Sequence, residues 1–378
     1  MRGLERISFF QCSSCNYSTF SIPTRGSISH SVVTGVRHFR ILSRNKSVIP
    51  KLFCGLGYFI GGGIADRRSL LEDYLPVWNA AATTRKNSDA VVKATTGHVA
   101  RLASTSWKPE GSHTSTSEGK RCPVYLMHGL LGFKEEFEQY GQAIADGTGH
   151  LVTALDATNH GGSSHTDEIS YPSMADDLAS YMGEQDVKEA IVVAHSMGAG
   201  AAMYLALHQP ERVRALFLID SVIADVPRRA QIGVFMRFMA AMTLPKEGYL
   251  EDVHKNLTDL LVQNEIDKFV ITQSILPNII MQDGEARWRV NIDVLAQNIK
   301  NLTDVARMPD NTGLTFEKPT YVLIGECSDY VSREKEKLIY KNFPNAKTQR
   351  VGNAGHWVHI DQPEIFVEAV IKFVRSLS

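Results

Sequence analysis

Between Pro123 and Asp220 short apolar runs alternate with stretches of helical periodicity, and that alternation restricts the chain to few folds. "PVYLMHG" (Pro123–Gly129), "HLVTALD" (His150–Asp156), "EAIVVAH" (Glu189–His195) and "RALFLID" (Arg214–Asp220) are continuous apolar runs. Continuous runs suit strands covered on both faces, as in a mostly parallel sheet. Phe133, Phe137, Tyr140 and Ile144 recur at spacings of four, three and four, which marks one face of a helix. "SMADDLASYM" and "MGAGAAMYLALH" supply two more helices, the second ended by Pro210. "PTYVLIG" (Pro319–Gly325) and "AKTQRVG" (Ala346–Gly352) add strands with a helix between them. Asp361 and Pro363 open a last helix whose apolar stripe is Ile365, Phe366, Ala369, Val370, Phe373 and Val374. The expected class is α/β, with helices on both faces of the sheet.

The alternation breaks at about 222–307, where the texture is helical and no strand is obvious. That segment reads as a helical cap inserted after the fourth of these strands. Its Phe235, Phe238, Met239 and Met242 share a helix face that suits packing and an acyl pocket equally. Thr105–Arg121 is polar and rich in Gly, Ser and Thr, and reads as a loop.

The chain ahead of this region has another composition. Up to Ala65 it carries eight Arg and Lys against one acid, Glu5, with abundant Ser, as in an organellar transit peptide. Residues 1–95 are therefore expected to be a transit peptide and poorly ordered leader, and 96–378 the folded domain. The destination is a mitochondrion, with the matrix expected and a plastid as the alternative. Leu52–Ala65 is apolar but shorter than the ~20 residues of a spanning helix, so no transmembrane span is expected. A net charge of −1 gives no basic face for nucleic acid. Five cysteines, odd in number and sparse, make no disulfide framework. No metal-ligand constellation or phosphate-cradling glycine loop is visible, so no cofactor and no metal are expected.

"IVVAHSMGAG" (Ile191–Gly200) runs a β-branched strand straight into a serine with small neighbours. Ala194-His195-Ser196-Met197-Gly198 is the G-x-S-x-G nucleophile elbow with Ala for the first Gly. Small residues two positions either side let neighbouring backbone pass close, and Ser196 is the candidate nucleophile. His356, in "NAGHWVHI" after the last strand, is the candidate base; His359 lies further toward the final helix. Asp220 and Asp329 both follow strands, and either could orient the imidazole. The glycine-rich His128–Gly132 segment assigns the oxyanion donors to the backbone amides of Leu130 and Met197. His128 itself reads as a structural hydrogen-bonding residue.

From about Val99 onward these residues resemble the α/β-hydrolase superfamily. "HGLLGFKEEF", "LDATNHGGSSH", "AHSMGAG", "ARWRVNIDVL" and "NAGHWVHIDQP" resemble the mitochondrial α/β-hydrolase domain-containing protein 11 family. That family includes bacterial esterases and yeast ethyl-acetate-forming alcohol acetyltransferases. The resemblance implies an α/β-hydrolase fold without cofactor, Asp220 as the acid, and Ser328 as a residue assisting the histidine. Asp329 remains the alternative acid. It also implies a serine hydrolase of carboxylic esters, lipid-like ones included, acting on a small-molecule ester or acyl substrate. Two alternatives stay open: acyl transfer to alcohols or thiols, and a hydrolase-fold scaffold for a mitochondrial protein partner.

Overall fold

The computed structural model describes residues 100–110, 121–224, 229–245, 248–263, 266, 268–303 and 313–377. The leader expected over 1–95 lies outside the described residues. Seven strands form the main sheet: β1 (Ser104–Trp107), β2 (Val124–Met127), β3 (Val152–Leu155), β4 (Ala190–His195), β5 (Val213–Ile219), β8 (Thr320–Gly325) and β9 (Ala346–Val351). Their order is β1-β3-β2-β4-β5-β8-β9, parallel throughout except for β1, which runs antiparallel to β3. The fold class is the α/β sheet that the alternation predicts.

Alternate residues of each strand feed two separate cores, which is why the runs are continuously apolar. Tyr125, Met127, Val192, Ala194, Leu216 and Leu218 pack on one face, against α2 (Tyr171–Glu184) and α3 (Ser196–His208). Val124, Leu126, Ile191, Val193, Ala215, Phe217 and Ile219 pack on the other. That second face is covered by α1 (Glu138–Thr148) and by α7 (Pro363–Arg375), through Phe366, Ala369, Val370, Phe373 and Val374. Ser170 caps α2 by accepting from the Ser173 amide, a reciprocal capping box.

The segment between β5 and β8 contains α4 (Arg229–Ala241), α5 (Leu250–Gln263) and α6 (Ile292–Thr303). It departs from the strandless expectation. β6 (Ile279–Gln282) and β7 (Glu285–Trp288) pair as an antiparallel hairpin. Its two-residue turn is Asp283-Gly284, with φ of +54° and +81°. An Asp-Gly pair after a β-branched run is a strong hairpin signal, hidden here among helical segments.

β1 is a second departure, because Thr105–Trp107, all of it but Ser104, falls within the polar stretch read as a loop. As an edge strand it needs one neighbour only, and its side chains are mostly exposed. Trp107 anchors it: a Cβ on Gly141 of α1 would lie 2.2 Å from the indole. Asp361 does not cap α7, whose N-cap is Gln362; its carboxylate accepts from the Gly355 amide at 2.7 Å instead.

Gly325 ends β8 where the chain passes closest to the His356 loop. A Cβ there would meet the carbonyl oxygens of Gly355 and Ala354 at 2.1 and 2.7 Å. Both obstacles are backbone and cannot rotate away. Gly325→Ala should lower stability by about 1–3 kcal/mol, seen as a lower melting temperature. Gly352→Ala, which meets nothing within 4 Å, should melt near wild type.

Candidate active site

The parallel strands β4, β5 and β9 are followed at the same end of the sheet by Ser196, Asp220 and His356. β4 ends at His195 and turns directly into α3 at Ser196, whose φ is +49°. A left-handed φ on a non-glycine residue is strained, and it aims the hydroxyl out of the strand-to-helix turn. The small neighbours are sterically required. A Cβ on Gly198 would lie 2.6 Å from the His128 carbonyl, and one on Gly200 would lie 2.1 Å from the Tyr171 ring.

Ser196 Oγ donates to His356 Nε2 at 2.9 Å, and His356 Nδ1 donates to Asp220 Oδ2 at 2.7 Å. Asp220 stands just past β5, also with a left-handed φ, +47°. Its carboxylate is 1% exposed and takes further hydrogen bonds. The Gly325 amide donates to Oδ1 at 3.0 Å, and Ser328 Oγ donates to Oδ2 at 2.5 Å. These donors replace the water that burial removes. Asp329 is exposed in the loop after β8, and the Nδ1 proton that it would need already belongs to Asp220. His359 is fully buried elsewhere, stacked on Phe137 with ring centroids 5.7 Å apart.

The loop after β2 is held from three sides. Leu131 adopts φ +63°; its amide donates to His160 Nε2 at 3.3 Å and its carbonyl accepts from Asn278 Nδ2 at 2.6 Å. In return His128 Nε2 accepts from the Ala157 amide at 3.0 Å, so two histidines buckle the loops after β2 and β3 together. The Gly132 amide donates to the Gly129 carbonyl and the Gly198 amide to the His128 carbonyl. Among the described residues the amides of Leu130 and Met197 have no such acceptor, and both residues line the cleft above Ser196. Asp156 braces the same loop by accepting from the Lys134 amide at 2.7 Å and its ammonium at 2.9 Å. Burial pushes the Asp156 carboxyl up, but His128, the Gly162 and Lys134 amides and the Lys134 ammonium outweigh it and hold it below its ordinary value.

Known proteins match this arrangement. The alpha/beta hydrolase fold family model matches residues 123–363. The chain belongs to the α/β-hydrolase superfamily. This hydrolase is 33% identical over 251 residues to the sn-1-specific diacylglycerol lipase ABHD11 of Mus musculus, across 66% of its own length and 80% of the mouse protein. An esterase of Escherichia coli is 25% identical over 265 residues, across 70% of this chain and 98% of the bacterial one. A solved marine-microorganism esterase superposes with a TM-score of 0.61 at 27% identity, covering 72% of this chain and 98% of the other.

In this hydrolase a cleft lies over Ser196 and opens to solvent. Its walls are largely apolar, with Ile232, Phe235 and Met236 of α4 facing Leu130, Tyr171 and Leu302. Of the stripe read from sequence, Phe235 lines the cleft, while Phe238, Met239 and Met242 are buried in the packing beneath it. Sequence reasoning missed Met236, one position off that stripe, and missed His160 and Asn278. Their partner Leu131 lies 29 and 147 residues away, and no local pattern marks such pairs. The "DATNHGGSS" and "WRVN" segments touch: Asn291 donates its amide to the Asn159 carbonyl at 2.9 Å and its Nδ2 to Asn159 Oδ1 at 3.1 Å. Among the described residues no His, Cys, Asp or Glu group is arranged to hold a metal, and no helix is long and apolar enough to cross a membrane.

His160 is fully buried, and burial, aided by His128, pulls its pKa down to about 3. Its neutral form is the acceptor that Leu131 needs. In the unfolded chain the imidazole titrates near ~6.5, so between these values the unfolded state binds the extra proton. Stability should therefore fall as pH drops from about 6.5 toward 3. His160→Gln, which keeps an acceptor but cannot titrate, should flatten that slope in urea melts across the range.

Proposed function

We propose that Ser196 is the nucleophile of this enzyme, His356 its base and Asp220 the acid that holds the imidazole. The class, a serine hydrolase cleaving carboxylic esters, rests on the family and on the esterases and lipase among its relatives. One observation carries the assignment of roles: an unbroken hydrogen-bond chain from Ser196 Oγ through both ring nitrogens of His356 to a buried carboxylate.

The chemistry follows from that chain. Ser196 Oγ attacks the acyl carbon as its proton passes to His356 Nε2. Asp220 keeps Nδ1 protonated, so the correct lone pair faces the serine and the imidazolium is stabilised as it forms. The carbonyl oxygen, now an alkoxide, sits against the amides of Leu130 and Met197. His356 returns the proton to the departing alcohol, leaving an ester on Ser196. Water, deprotonated by the same nitrogen, repeats the sequence and releases the acid. Ser328 assists by donating to the same Asp220 oxygen that His356 uses.

The segment between β5 and β8 serves as the cap: its α4 residues form the apolar wall, and Asn278 secures Leu131. An apolar cleft of this kind suits lipid-like acyl esters, in keeping with the name of the mouse relative. The basic, Ser-rich composition up to Ala65 supports a transit peptide and delivery to a mitochondrion.

Ser196→Ala should abolish turnover of aryl and acylglycerol esters in a protein that melts like wild type. Asp220→Asn should lower kcat by about 10³–10⁴-fold, because the imidazole loses its orienting acceptor. Asp329→Asn should leave kcat unchanged. Steady-state kinetics on the three variants checks the assignment; activity lost in Asp329→Asn and kept in Asp220→Asn would reverse it. Widening the cleft wall with Met236→Ala should shift preference toward bulkier acyl chains in a chain-length series.

A further inference from the structure

The catalytic imidazole has two edges and two faces, and the proton chain uses only the edges. Hydrogen bonds to Ser196 and Asp220 lie in the ring plane and leave it free to tilt about the axis joining its nitrogens. Tyr330 covers one face. Its ring lies parallel to that of His356, 14° between planes with centroids 3.7 Å apart. The contact is also wired back into the acid. The Tyr330 amide donates to Ser328 Oγ at 3.1 Å, and Ser328 Oγ donates to Asp220 Oδ2. Backbone of residue 330, Ser328, Asp220, His356 and the Tyr330 ring thus form a closed circuit.

We propose that Tyr330 is a positioning residue acting through His356, its ring fixing the tilt of the imidazole and its π-face stabilising the imidazolium formed when Ser196 gives up its proton. The proposal rests on the reading of His356 as the base. An aromatic face carries negative charge density, so it favours a flat-lying cation over the neutral ring. The position suits that use, because Tyr330 lies in the loop after β8 and lines the cleft together with His356.

Other groups around the imidazole meet it differently: the Trp357 ring stands nearly perpendicular to it, at 76° with centroids 5.2 Å apart, where Tyr330 lies flat. Asp220 reaches it from β5, and Ser196 from α3, both in the plane. His195, at the end of β4, lies 4.7 Å away ring to ring and tilted by 47°. Burial, with His356 and His359 adding to it, holds the His195 pKa well below its ordinary value, so it faces His356 uncharged. His195 Nε2 donates to the His356 carbonyl at 3.0 Å and fixes the backbone of residue 356. From the same loop, Asp361 is turned to the Gly355 amide and His359 is buried against Phe137. Glu136 lies 3.9 Å from His359 Nε2. Asp329 and Glu326, in the Tyr330 loop, are exposed.

Replacement by leucine fills similar space without a π-face, and phenylalanine keeps the face without the hydroxyl. Tyr330→Leu should lower kcat about tenfold with little change in KM. It should also move the acid limb of the kcat/KM profile to lower pH by about half a unit or more, since a stabiliser of the protonated ring is gone. Tyr330→Phe should keep both near wild type. An unshifted acid limb in Tyr330→Leu overturns the proposal whatever its kcat, as does a Tyr330→Phe enzyme that falls as far as the leucine variant. Turnover surviving in Ser196→Ala would instead sink the reading of the site itself, so the two failures are told apart.

Discussion

Asp220 puts a carboxylate, almost fully buried, at the end of a central strand, and the surrounding structure supplies it with hydrogen-bond donors. A buried carboxylate without partners costs several kcal/mol, and removing one partner of a buried pair costs about 3–5 kcal/mol. Here the donors come from three places: the Gly325 amide at the end of β8, Ser328 beyond it, and His356 after β9. β5, β8 and β9 are adjacent in the sheet, so parallel pairing brings all three to the same edge. The register that stabilises the sheet also brings Asp220 and His356, the proposed acid and base, together.

A second constraint is that His160 and His195 stay neutral. His160 serves as an acceptor for the strained Leu131, and His128 accepts from Ala157. Burial keeps His160 and His195 unprotonated, so neither brings a positive charge toward His356. The hydrogen bonds of His160 and His128, with the Lys134–Asp156 ion pair, hold the loop after β2. Asn278 ties that loop to the inserted segment, so the apolar wall and the amide donors are positioned together.

Much of this was legible in the sequence, and the limits follow physical lines. The continuous runs revealed a sheet covered on both faces, because every strand residue must suit one of two cores. The crowding at Ser196 revealed the elbow, because Gly198 and Gly200 leave no room for a side chain. The choice between Asp220 and Asp329 was not legible from the residues alone, since both follow an apolar strand. It depends on which carboxylate the His356 loop meets, a contact 136 residues long. β1 was hidden because an exposed edge strand needs no apolar run, and the hairpin was hidden although Asp283-Gly284 marks it. Tyr330 gave no signal, since stacking on an imidazole leaves no trace in spacing.

The account turns on a covalent acyl group being carried by the elbow serine. Its most direct test is peptide mapping by mass spectrometry after an acid quench of wild-type protein reacting with an activated aryl ester. The account predicts an acyl adduct on the peptide containing Ser196, accumulating within the first turnover. An adduct on any other residue, or ester cleavage with no protein-bound acyl group at any time, would contradict it.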